Sequence, residues 1–487
     1  MNGILKNLEP KAVFEYFERI SQIPRGSGNE KAISDYLVSF AKDHNLEVFR
    51  DASMNVIIKK PATAGYENAP VFILQGHMDM VCEKNKSTVH DFEKDPIKLR
   101  IIDDMIYATD TTLGADNGIA VAMNLAILES KDIPHPAIEA LFTTDEEVSM
   151  SGATNLDVTP LKGRLLVNID SEEEGFLLVS SAGGTKAKLF LPIEWITADS
   201  SLSAYRISVG GLKGGHSGME INKGRGNANK LMGRVLNCIA SEFSFLIGEI
   251  NGGLKANAIT RETDAVIFLK PSDVPVLEAK LAECSDIFRN ELSAADPDVF
   301  VKSEAVADAG RKAFSKATTD KVIAALVVTP NGIQSMSMHI KDLVESSTNL
   351  GVVQTHEDKV EFINEIRSSI SSLKKAVLKQ VEMIGKVLGG ELSIGSDYPE
   401  WAYKPDSKLR TLFQRVYKEK YGVDAQVIAL HAGLECGVLS NKIEGLDCIS
   451  LGPNLYDVHT PNEHLSIKST KNVWEYLLEV LKQANTI

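Results

Sequence analysis

Apolar side chains recur along this chain at two different spacings, and the switches between them outline a fold. Phe17 follows Val13 and Phe14 by four and three residues and precedes Ile20 by three, and Ile33, Leu37 and Phe40 recur at the same spacing, with charged residues in between. That spacing predicts amphipathic helices. VFILQ at 71–75, IEALFTT at 138–144 and LLVNI at 165–169 are instead short apolar runs that end on polar residues, and GIAVAMNLAILES, between the first two, reads as a helix. Such strands alternating with helices predict an α/β fold, a mixed, largely parallel sheet covered by helices.

The rhythm changes near Leu189. From there to Ile394 the chain carries longer alternating segments, such as AYRISVGGLKGG and DAVIFLK, together with helices, and polar residues no longer sit at strand ends. It also repeats itself weakly. Asn257 in NAI precedes DAVIFLK and a helix, much as Asn349 in NLG precedes KVEFINEIRSS and another helix. From Gly395 the first pattern resumes with AQVIALH, CISLG and the closing helix NVWEYLLEVLKQ. The expectation is one domain built from residues 1–188 and 395–487, with 189–394 inserted as two α+β units sharing a sheet.

Composition narrows the class. The chain has 487 residues, 44% of them hydrophobic and 24% charged, which is ordinary for a soluble protein and too long for a single core. A net charge of −14 offers no basic stripe for nucleic acid or for an anionic membrane. Five scattered cysteines without CxxC spacing point to reduced thiols rather than disulfides or a cysteine metal site. Neither a signal-like N-terminus nor a membrane-spanning run is evident, so a cytoplasmic protein is expected.

Polar residues gather where the apolar strands end. His77 and Asp79 follow VFILQG; Asp116 lies in TTLGADNG at a helix start; Glu146 and Glu147 follow ALFTT; Asp170 follows LLVNI; and His459 lies beyond CISLGP. Ligands of open α/β sheets bind outside the carboxyl ends of the strands, so these residues are expected to converge. Histidines and carboxylates without cysteine suit zinc, manganese or cobalt. If Asp116 bridges, each of two metals receives three protein ligands and keeps an open position. Two divalent cations facing the carboxylates of Asp116, Glu147 and Asp170 leave a net positive charge that favours ionising a water. One of the adjacent glutamates can bind metal while its neighbour takes the proton. Asp79 can accept the second N–H of His77 and fix its tautomer.

GHMDM, LGADNG, TDEE, the aspartate of NIDSEEEG and the histidine of DVHTPNE, in this order, resemble the cocatalytic zinc peptidases and deacylases of the aminoacylase and carnosinase type. The likeness runs through KPATAG, NKSTVHDF, GLKGGHSG, GNANKL, TPNG and HAGLECG, over almost the whole chain. It implies that His77 and Asp170 hold one Zn2+, that Glu147 and His459 hold a second, and that Asp116 bridges, with Co2+ or Mn2+ able to substitute. It further implies Glu146 as general base, Asp79 as the residue orienting His77, and a cis peptide between Asp116 and Asn117. In the inserted lid domain it implies that His216 helps polarise the scissile carbonyl, that Arg367 grips the terminal carboxylate, and that Asn257 and Gly433 contact substrate. The implied activity is hydrolysis of unblocked dipeptides, Xaa-His included, by a homodimer. An N-acyl amino-acid deacylase with the same metal centre is the alternative, and a catalytically silent binding protein is a third reading.

Overall fold

The computed structural model describes residues 3–307 and 310–487, and the chain divides into two compact units. The first comprises Met1–Ser180, Trp401–Ala429 and Leu434–Ile487, and the second Ser181–Glu400 with Leu430–Gly433. The boundaries expected at 188/189 and 394/395 are therefore displaced. They fall inside two strands, Gly183–Pro192 and Glu391–Tyr398, which pair with each other in one sheet and cannot be cut without breaking a ladder.

In the first unit, eight strands form a sheet in the order Glu47–Arg50, Val56–Lys60, Ile138–Thr143, Phe72–His77, Leu165–Asn168, Asp447–Ser450, Phe176–Ser181, Gln426–Leu430. The four central strands, from Ile138–Thr143 to Asp447–Ser450, are mutually parallel, and antiparallel pairs flank them. Every residue of those four is buried, which is why their sequences read as continuous apolar runs rather than alternating ones. The helices Lys11–Ile20, Lys31–Asp43, Ala115–Glu129 and Ile467–Lys482 turn their apolar residues into the same core. Phe14, Phe17, Leu37 and Leu477 are completely buried there, and Ile119 nearly so.

The second unit has a nine-stranded sheet whose paired strands run antiparallel. Thr263–Leu269, which contains DAVIFL, precedes helix Val274–Glu291, while Lys359–Ser368 precedes helix Ser371–Leu388. The two parts of the sheet join where Leu246–Gly252 meets Val344–Thr355, through Asn251 opposite Gln354 and Gly252 opposite Val353. Helices Ala228–Ala240, Val274–Glu291, Lys316–Val328 and Ser371–Leu388 share one apolar core with the sheet. Among the described residues no helix is long and apolar enough to cross a membrane, and the five cysteines are free thiols.

Candidate metal centre

Three of the central parallel strands deliver side chains to one end of the sheet. His77 is the last residue of its strand, Glu146 and Glu147 lie just beyond Thr143, and Asp170 lies two residues beyond Asn168. His459 comes from the loop after Asp447–Ser450, held in the left-handed region at φ 62°, and Asp145, just before the glutamate pair, sits at φ 55°. A β-carbon disfavours that region by of order 1–3 kcal/mol, so both turns are held there by their surroundings. Asp116 stands at the start of helix Ala115–Glu129 in a non-helical conformation, and its peptide bond to Asn117 is cis.

The seven residues expected to converge in this unit do so. Asp116 turns its two carboxylate oxygens to different neighbours: Oδ1 lies 3.0 Å from His77 Nε2, and Oδ2 lies 3.2 Å from His459 Nε2. Asp170 Oδ1 is 3.4 Å from His77 Nε2, and Glu147 Oε2 is 2.9 Å from His459 Nε2. Two groups that could each hold a metal ion result, His77 with Asp116 and Asp170, and His459 with Asp116 and Glu147. His77, Glu146 and Glu147 form a third, overlapping group, with Glu146 Oε2 4.0 Å from His77 Nε2. Asp79 is completely buried behind His77, its Oδ1 3.3 Å from Nδ1. Its carboxylate also accepts from Ser27 Oγ and from the backbone amides of Glu146 and Glu147, so one residue anchors the histidine and the glutamate turn together.

The electrostatics favour added positive charge. Hydrogen bonds to Asp116 and Glu147 lift the pKa of His459 to about 11. Burial opposes a charge on His77, yet Asp170, Asp116 and Asp79 outweigh it and hold that pKa well above the imidazole range. Burial raises the Glu146 carboxyl well above the carboxylate range; His77 opposes this, while Asp170, Glu435 and Glu147 add to it. Two imidazoles and three carboxylates, with Glu147 Oε1 buried and lacking any hydrogen-bond partner, form a nitrogen and oxygen donor set that fits divalent cations.

Several residues that the sequence did not mark also stand here. Asn117 donates to Asp170 Oδ1 and to the carbonyl of Ile169. Glu172 is raised to about 7 by burial and by Asp116 and Asp170. Gln75 Nε2 donates to Glu435 Oε2 at 2.6 Å, Thr143 Oγ donates to the same oxygen at 2.7 Å, and Asn168 Nδ2 donates to Gln75 Oε1. Gln75, Thr143 and Asn168 lie two to three residues before His77, Glu146 and Asp170 on adjacent strands, directly beneath the ligands. A polar residue inside an apolar strand is the only local trace these positions leave.

His216, Asn257, Arg367 and Gly433 belong to the second unit. His216 Nδ1 accepts from the amides of Gly218 and Met219, which places the ring proton on Nε2 as a donor. Burial and Arg367 lower its pKa and keep the ring neutral. Arg367 is buried, donates Nη1 to the Tyr398 hydroxyl at 2.7 Å, and leaves Nε without a partner. Gly433 packs on Tyr398, whose ring would lie 2.8 Å from a β-carbon at that position. Asn257 is exposed, and its carbonyl accepts from the amide of Ser217. His431, inside HAGLECG, meets Ser347 Oγ at 2.7 Å, and burial together with Arg367 and His216 lowers it to about 3.

Comparison with known proteins supplies the lineage. The chain is 37% identical over 479 residues to the cytosol non-specific dipeptidase of Escherichia coli, covering 98% of this chain and 99% of that one. Its structure matches that of an aminoacylhistidine dipeptidase from Vibrio alginolyticus with a TM-score of 0.95 at 37% identity, covering 99% and 98% of the two chains. The aminopeptidase PepT of Bacillus cereus shares the fold alone, with a TM-score of 0.57 at 18% identity over 98% and 99% of the chains. The model of peptidase family M20/M25/M40 matches residues 73–483, a span that includes His77, Asp116, Glu147, Asp170 and His459, and the chain belongs to that family.

Proposed function

We propose that this protein is a dinuclear metallodipeptidase, using two Zn2+ per chain, that hydrolyses unblocked dipeptides with broad tolerance, Xaa-His dipeptides among them. The observation that carries the reading is the division of Asp116, one oxygen toward His77 and the other toward His459, as a bridging carboxylate requires. The near full-length relatives named as dipeptidases support the substrate class. The name of the Escherichia coli relative also favours a cytoplasmic location.

His77, Asp116 and Asp170 would hold one ion and Asp116, Glu147 and His459 the other. When bound, the metals supply Lewis-acid polarisation of the peptide carbonyl and a nucleophile available at neutral pH. Asp79 fixes the His77 tautomer by facing Nδ1, so that Nε2 presents its lone pair to the site. Glu146 stands beside the ligands without belonging to either of the two groups that share Asp116, which leaves its carboxylate free to take a proton from the attacking water and return it to the leaving amine. His216 offers a neutral Nε2–H donor suited to the carbonyl oxygen as negative charge develops there. Arg367, with Nε unpaired, is suited to a terminal carboxylate, and the sequence resemblance assigns Asn257 and Gly433 to substrate contact.

The test is hydrolysis of matched free and N-acetylated dipeptides, with and without chelator, alongside measured metal content. The expected result is cleavage of the free dipeptides, loss on chelation, and recovery with zinc, cobalt or manganese. Preferential cleavage of the acetylated series would make the protein a deacylase. Full activity in verified metal-free protein would overturn the mechanism, and no activity at all would indicate a binding role.

A further inference from the structure

Glu463 lies four residues past His459 in the same loop, and it is 3% exposed. Its carboxylate accepts four consecutive backbone amides, Leu113 and Gly114 at Oε2 (2.7 and 3.0 Å), and Ala115 and Asp116 at Oε1 (2.8 and 3.3 Å). Those amides open helix Ala115–Glu129, which has no side-chain cap of its own and is interrupted by the non-helical Asp116. A carboxylate there satisfies donors that a regular helix start leaves unpaired and meets the positive end of the helix dipole. The loop thus holds Asp116 from two sides, by its amide through Glu463 and by Oδ2 through His459.

Arg25 supplies the opposite charge. It is 2% exposed and donates Nη1 to the carbonyls of Met78 and Asp79 at 3.1 and 3.0 Å, and Nη2 to the carbonyl of Gly114. Gly114 therefore receives Arg25 on its carbonyl and gives its amide to Glu463. It sits at φ 69°, and a β-carbon would lie 2.6 Å from both Arg25 Nη2 and Met80 Sδ, so a larger residue would be strained there and would push aside the Arg25 guanidinium. The loops after His77, before Asp116 and after His459 are bound into one body by two buried charges that grip backbone carbonyls and amides.

We infer that Arg25 and Glu463 are positioning residues that hold Asp116 in its bridging orientation and thereby set the metal affinity of the centre. The inference rests on the reading of Asp116 as a metal ligand. In Glu463→Gln one acceptor oxygen becomes an NH2 that faces amide donors, while size and shape are kept. Arg25→Lys keeps the charge but cannot reach three carbonyls with a planar fork.

Metal binding is read directly, without peptide, by competition with a chromophoric chelator, and the rise in Tm on adding zinc to the stripped protein is read beside it. Glu463→Gln is expected to weaken binding about 10–100-fold, the usual effect of losing a residue behind the ligands. It should shrink the zinc-induced Tm rise more than it lowers the Tm of the stripped protein, and reduce kcat with KM little changed. Should Glu463→Gln not fold, Arg25→Lys decides by the same readouts. Wild-type metal affinity and an unchanged zinc-induced rise in the folded variant would overturn the inference, whether or not the wild type cleaves dipeptides. A wild type that binds two metals yet cleaves no dipeptide would count against the proposed function alone.

Discussion

Glu146 and Glu147 are neighbours in sequence but meet different surroundings. Glu147 Oε2 contacts His459 Nε2 at 2.9 Å, whereas Glu146 Oε2 stays 4.0 Å from His77 Nε2, and both amides are held by Asp79. Glu146→Ala is therefore expected to retain both metals and lose about 10²–10⁴-fold in kcat, the usual contribution of a positioned general base. Glu147→Ala removes one of the three residues proposed to hold its ion, so metal content itself should fall. Zinc stoichiometry and kcat measured on both variants check the assignment, and metal loss confined to Glu146→Ala would reverse it. Arg367→Ala is expected to raise KM for dipeptides and to narrow the gap between free and amidated C-termini; an unchanged gap would take Arg367 out of substrate recognition.

At the scale of elements, the parallel strands carry a polar layer just beneath the ligands. Gln75 and Thr143 meet on Glu435, Asn168 joins them by donating to Gln75, and Glu435 Oε1 is buried without a partner. Burial is the main cause that raises Glu435 to about 7; Asp170 and Asp79 add to it, while His77 and the Thr143 hydroxyl oppose it. A folded pKa above the unfolded value of about 4.3 means that the folded state holds the proton longer. This contribution to stability is full below the unfolded value and is lost as pH rises through 7, by up to about 3 kcal/mol. Glu435→Gln keeps an acceptor for Gln75 and Thr143 and does not titrate. Its Tm relative to wild type, measured on chelated protein, should therefore rise between pH 5 and pH 8; a constant difference would mean that Glu435 does not titrate in that window. The strands also explain the displaced boundary near Leu189. Gly183–Pro192 opens on three buried residues, and buried and half-buried positions alternate only from Thr185 onward.

For the whole molecule, the insertion carries its own core, and its sheet continues across two parts joined by only two opposed residue pairs. A homodimer is proposed for this chain, as the sequence resemblance implies. Sedimentation at micromolar concentration is expected to give about twice the 53.1 kDa of one chain, and a single 53.1 kDa species would refute it. The charge of −14 implies that self-association depends on salt, tightening as screening increases.

The helices, the central strands and the strand-end positions of His77, Glu146, Glu147, Asp170 and His459 were legible in the sequence. Helical and strand burial repeat every few residues, so neighbours along the chain report them directly. The candidate metal-binding residues were legible through motif chemistry and resemblance, since most of them lie just beyond an apolar run that must be a strand and Asp116 lies at a helix start. The remainder depended on contacts between distant residues. The separation of Leu113 and Glu463 is 350 positions, and nothing local distinguishes Glu463 from a surface acid in a loop or Arg25 from an exposed base. The turning of the two Asp116 oxygens toward different histidines, the proton on His216 Nε2 and the shared strand ladder at Gly183–Pro192 likewise belong to tertiary structure. Hydrogen-bond direction and burial are fixed by what packs around a group, and that is settled only when segments far apart in the chain meet.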